Sequence, residues 1–143
     1  MAVSFSELLD AFELVNINRD AGNQAYICRS SGKIYSRMDP LYVGEEYAGK
    51  LPNDIEDEEK YLALPDKWEL DLGNALAMEF VRQNLSQDYD DVQDMFRKKG
   101  AYARFKGLLV QRRALERWYD FERAATEQAL REWCKLHEIE LAD

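Results

Sequence analysis

Apolar residues change their spacing along the chain, and the changes divide it into a first helix, a small β region and a longer helical stretch. In the first segment Leu8, Leu9, Phe12 and Val15 recur at helical spacing, while Glu7, Asp10 and Glu13 lie largely on other faces. Ser4 or Ser6 is placed to cap that helix, and the acids near its start suit the positive end of its dipole. Asn16 to Asn23 collects Asn, Asp and Gly, which ends the helix.

Two short runs follow, Gln24 to Arg29 and Lys33 to Arg37, rich in β-formers and separated by Ser30-Ser31-Gly32. A short Gly-containing loop between such runs predicts a hairpin. Two strands alone are marginal in water, so a third strand is expected, with Lys60 to Leu64 before Pro65 as its best candidate.

From Asp66 onward the period becomes helical. Asp66-Lys67-Trp68-Glu69 has the form of a capping box and predicts a helix through about Asn84. Trp68, Leu72, Leu76 and Phe80 fall at i+4 steps, with Leu70, Ala77 and Val81 on a neighbouring face, so this helix reads as central. Ser86 or Asp88 starts the next helix, whose stripe is Val92, Met95 and Phe96 and whose terminator is Gly100. Ala101 to Arg112 carries Tyr102, Phe105, Leu108 and Leu109, and Gly107 either weakens it or admits another backbone. The last helix, Ala114 to Leu136, spans about 35 Å and turns Leu115, Trp118, Phe121, Ala125, Ala129, Trp133 and Leu136 inward. The expected fold is α+β and mostly helical, a small antiparallel sheet packed with about five helices. Residues 1–143 read as a single domain, with the first helix and sheet in 1–65 and the helical part in 66–143.

Composition adds bounds. Apolar residues make up 46% of the 143 positions and charged residues 33%, with seventeen aromatics, enough to bury a core without metal or disulfide. The first residues lack the basic and apolar regions of a secretory signal, and no run approaches the roughly 20 apolar residues of a membrane span. Cys28 and Cys134, far apart in apolar patterns, read as reduced thiols, so a cytoplasmic location is expected.

Little in the chain supports familiar catalytic chemistry. His137 is the single histidine and sits near a helix C-terminus, where it complements the dipole rather than serving a triad. One His and two distant Cys give no zinc spacing, and Asp54 to Glu59 lacks the turn glycine and ligand periodicity of a calcium loop. The seven glycines form no phosphate-binding loop, and no cofactor is implied.

Charge is the strongest asymmetry. The net charge of −9 disfavours general attraction to membranes or nucleic acid. Yet Arg97, Lys98, Lys99, Arg104, Lys106, Arg112, Arg113 and Arg117 concentrate a balance of +7 in one stretch, leaving −16 elsewhere. Tyr102 and Phe105 interleave with these cations, as in a nucleic-acid patch, although the same spacing makes them part of a buried stripe. The stretch from Asp39 to Glu59 is its counterpart, with eight acids against one lysine. It reads as an exposed connection that either solvates the chain, neutralises the basic helices or docks a partner. Glu122, one turn from Trp118 beside the inward stripe, needs a cationic partner if half-buried, and Arg104 or Lys106 is the expected one.

Several ordered motifs resemble a known family. Arg97-Lys98-Lys99-Gly100-Ala101-Tyr102-Ala103-Arg104-Phe105-Lys106, Trp118-Tyr119-Asp120-Phe121-Glu122 and Ala129-Leu130-Arg131-Glu132-Trp133-Cys134 are similar to uncharacterised protein family 0158. Leu64-Pro65-Asp66-Lys67 and Asp71-Leu72-Gly73 resemble it upstream. The resemblance implies a bacterial, cytosolic protein and supplies no activity.

Three functional expectations remain. The first is a non-enzymatic protein-interaction or regulatory domain, docking through Tyr42, Tyr47 and the acids Glu56, Asp57, Glu58 and Glu59. The second is nucleic-acid or phosphorylated-ligand binding by the basic segment, and the third an enzyme with a carboxylate site not located in the sequence.

Overall fold

The structure, a computed structural model, describes residues 2–16, 23–38, 44 and 49–142. Its contacts divide the chain into two compact units, Met1–Asp66 with Leu130–Asp143, and Lys67–Ala129. The first boundary falls where the hydrophobic period changes. The end of the last helix, which sequence groups with the helical part, belongs to the first unit.

In that first unit, α1 (Phe5–Asn16) buries Phe5, Leu8, Ala11 and Phe12, whereas Leu9 and Val15 are only partly covered. Ser4 is the cap: its Oγ accepts the Glu7 N–H at 3.4 Å. At the far end, Asn16 and Asn23 side chains donate to the carbonyls of Phe12 and Leu14 in the last turns of the helix.

The helix packs on β1 (Gln24–Cys28) and β2 (Ile34–Arg37), and β3 (Tyr61–Ala63) completes an antiparallel sheet of order β2-β1-β3. Central β1 buries Ala25 and Ile27 on one face, the alternation a half-covered strand requires. Gly32 closes the hairpin at φ 75°, a backbone region that side chains resist, and donates to the Cys28 carbonyl at 2.8 Å. Register places Tyr26 opposite both Tyr35 and Ala63. The chain end returns to this unit. Val3 donates to Glu140 at 2.8 Å and accepts from Ala142 at 2.8 Å, and Leu130, Trp133 and Cys134 are buried.

The second unit contains α2 (Asn74–Asn84), a 3-10 turn at Ser86–Asp88, α3 (Tyr89–Met95), α4 (Ala101–Gln111) and most of α5 (Leu115–Leu136). Its core joins Ala77, Phe80, Val81, Val92, Phe105, Leu109 and Trp118. Trp118, 2% exposed, meets Phe80 and Phe105 edge-on with centroids 5.4 and 5.2 Å away. The helical stripes of the sequence therefore meet around one indole.

The capping box does not start α2. Lys67 to Leu70 form an isolated turn, closed by Asp71 at φ 57° with Asp71 N–H to Trp68 O at 3.2 Å and Leu72 N–H to Lys67 O at 2.8 Å. That pair of bonds is a Schellman closure, which stops a helix. Gly73 then follows with the Trp68 indole 3.1 Å from where a Cβ would stand, so the ring lies against backbone and is 39% exposed rather than central. The same closure ends α4, with Arg113 at φ 55° and buried Ala114 leading into α5. Gly100, at φ 73°, precedes α4 instead of directly ending α3, and nothing approaches a Cβ built on Gly107. Among the described residues no helix is long and apolar enough to cross a membrane.

Candidate functional site

Trp118 also sets up the polar chemistry of the helical unit. Its Nε1–H donates to the Tyr102 hydroxyl at 3.4 Å, and Glu122 lies one turn further along α5, where that hydroxyl favours its ionised form. Tyr102 is 44% exposed, whereas Phe105 is fully buried, so only the second ring obeys the stripe reading. Glu122 is half-buried.

These groups border a cavity of about 50 Å³, lined among others by Lys67, Trp68, Phe96, Tyr102, Trp118 and Glu122. Glu122 is the one carboxylate in the lining, so the wall holds no acid pair of the kind a two-carboxylate enzyme uses. Burial pushes its carboxyl pKa up; nearby Lys67 and Lys106 and the Tyr102 hydroxyl pull it down without cancelling that rise.

Both ammonium groups rest on rings. Lys67 Nζ stands 4.7 Å from the Trp68 centroid, and Lys106 Nζ stands 5.1 Å from Tyr102 and 5.6 Å from Tyr119. The expected Arg104 or Lys106 clamp on Glu122 is therefore not formed. Lys106 acts on Glu122 through space while seated on tyrosine faces, Arg104 is exposed, and Glu122 makes no ion pair among the described residues. Lys67 and Trp68 escape sequence reasoning because the i+4 pattern places that turn inside a helix.

The basic segment is divided by the fold. Arg112 is bound twice by Asp88, a residue with 6% exposure, and Arg97 pairs with Asp94 one turn away at 3.6 Å. Lys98, Lys99, Arg104, Arg113 and Arg117 are exposed and make no ion pair among the described residues. For Arg112 the internal counterweight is thus an acid of the same helical unit.

In the acidic connection, Asp57 is a turn residue. Its carboxylate accepts the Glu59 N–H at 3.0 Å and its carbonyl accepts from Lys60 and Tyr61. Asp54 pairs with Lys60 at 3.0 Å and accepts from the Tyr61 hydroxyl at 3.2 Å. Glu56, Glu58 and Glu59 are exposed and without ion pairs among the described residues. Tyr42 and Tyr47 lie outside the described residues.

The remaining nucleophiles stand apart. His137 packs its ring 5.0 Å from Trp133 just beyond α5. Both cysteines are free thiols. The Ser30 and Ser31 hydroxyls lower Cys28 to about 7, while burial raises Cys134 to about 11. No family model, curated protein or solved structure matches this chain.

Proposed function

We propose that the protein is a non-enzymatic interaction module whose helical unit receives a partner protein on the rings around the Glu122 cavity. One observation carries this reading. Trp68, Tyr102 and Tyr119 are 39%, 44% and 38% exposed, and they are contiguous: Trp68 and Tyr102 share the cavity wall, and Lys106 sits over Tyr102 and Tyr119. Large rings held at a surface by a packed core supply broad contact area at little entropic cost, which is why Trp and Tyr dominate binding hot spots. Free thiols support a reducing compartment such as the cytoplasm. Membership of uncharacterised protein family 0158 is proposed on the sequence motifs alone.

The test is capture of partners from lysate by the full chain and by Tyr102→Ala/Tyr119→Ala. A specific partner lost at least tenfold with the double variant, at unchanged circular dichroism, supports the module; equal recovery overturns it. Glu56→Gln/Glu58→Gln/Glu59→Gln in the same assay measures what the acidic connection contributes.

A second reading has its own support: five exposed basic side chains without ion pairs among the described residues suit phosphate. Its probe is Arg113→Ala/Arg117→Ala, since Arg112 serves the fold through Asp88. Affinity for a single-stranded oligonucleotide that falls steeply with salt and drops in this variant supports it. No binding at low salt removes it.

A further inference from the structure

We infer that the Glu122 cavity is a receptor for a protonated primary amine, the ammonium head of a lysine side chain offered by the partner. The inference rests on the reading of this face as a partner surface. Size sets the first limit. A cavity of about 50 Å³ has room for a few water-sized groups, each needing about 10–15 Å³, and falls well short of the ~150 Å³ that holds a benzene ring. An ammonium with its adjoining methylene fits; an aromatic side chain does not.

Chemistry sets the second limit. The wall combines the aromatic side chains Trp68, Phe96, Tyr102 and Trp118 with Glu122, a carboxylate that makes no ion pair among the described residues; Trp68 and Tyr102 are rings that already hold ammonium groups. An anion entering the same space meets that carboxylate at contact range. The surroundings already behave this way toward the chain's own lysines: Lys67 and Lys106 both settle on ring faces at 4.7 to 5.6 Å. Neither satisfies Glu122, because burial still holds its carboxyl pKa above the ordinary value. An ammonium inside the cavity supplies the charge that Glu122 lacks.

The two resident lysines also oppose an incoming cation, which gives the inference a signed consequence. Removing the Lys106 charge strengthens binding of an amine and weakens binding of an anion.

The experiment is NMR on the intact chain at constant ionic strength, reading the three indole N–H signals while n-butylammonium chloride is added. Expected are saturable shifts at Trp68 and Trp118 with Trp133 unmoved, loss of saturation in Glu122→Gln with the indole dispersion retained, and severalfold tighter binding in Lys106→Gln. Three results overturn it: equal shifts with sodium chloride, no shift, or saturation by sodium acetate that weakens in Lys106→Gln. Failure here with capture still dependent on Tyr102 and Tyr119 rejects the amine site alone. Saturation here with capture indifferent to those rings rejects the partner surface.

Discussion

Arg112 grips Asp88 through two hydrogen bonds, Nε to Oδ2 at 3.0 Å and Nη2 to Oδ1 at 2.9 Å. The pair ties the end of α4 to the 3-10 turn before α3, and Asp88 is the buried member. Arg112→Gln leaves that carboxylate short of its partner, so the variant melts several degrees below the parent, whereas Arg113→Gln, beside it but unpaired, stays close to the parent. The guanidinium holds the Asp88 pKa below its ordinary value. A carboxylate depressed in the fold stabilises above its unfolded pKa, and the contribution fades as pH falls below about 4. Thermal midpoints from pH 7 down to pH 2.5 check both statements. Equal midpoints for the two arginine variants at pH 7 reject the pairing as a stabilising contact.

Glu122 has the opposite sign. Its folded pKa is raised by burial, so the ionised form opposes folding, and stability present below the unfolded carboxylate pKa is lost as pH rises through the folded value. Glu122→Gln keeps shape and an acceptor for the Tyr102 hydroxyl while removing the charge. The variant therefore melts higher than the parent at pH 7, by a few degrees, and the two converge below about pH 4. A lower midpoint at pH 7 means that Lys67 and Lys106 more than repay the burial of the carboxylate.

The relation of these sites to the sequence is uneven for physical reasons. Local patterns were legible: Ser4 before α1, the loop closed by Gly32, and the i+4 stripe that brings Phe105 and Trp118 into the core. Glu122 could be singled out because it lies one turn from Trp118. Its surroundings could not, since Trp68 continues the i+4 series of Leu72, Leu76 and Phe80 and only the left-handed Asp71 takes it out of that helix. Asp71 and Arg113 occupy positions where Gly is usual, so the closures they make carry no compositional sign. The grip of Asp88 on Arg112 joins residues far apart in sequence and leaves no period to read.

Gly107 offers a clean test of local physics. It lies inside α4, its φ is not left-handed, and no atom lies within 4 Å of a Cβ built there. Alanine therefore fits without displacing anything and costs the unfolded chain freedom that glycine retains. Gly107→Ala stabilises by about 0.5–1 kcal/mol in urea denaturation, with the slope unchanged. A loss of stability means that a second backbone does approach α4 there in solution.

The two thiols differ in a way alkylation resolves. Cys28 ends β1, partly exposed, with its Sγ 3.4 Å from the Ser30 hydroxyl, and hydrogen bonds from Ser30 and Ser31 bring it to about 7. Cys134 is buried in α5 and pushed to about 11. Because the thiolate is the nucleophile, iodoacetamide at pH 7 labels Cys28 and leaves Cys134 untouched until the chain is denatured. The rate at Cys28 rises with pH to a half-point near 7 in the parent. In Ser30→Ala that half-point moves upward, toward the ordinary cysteine value of about 8.5, because the lost hydroxyl no longer favours the thiolate. An unchanged half-point assigns the reactivity to exposure alone, and equal labelling of both cysteines in the native protein contradicts the burial of Cys134.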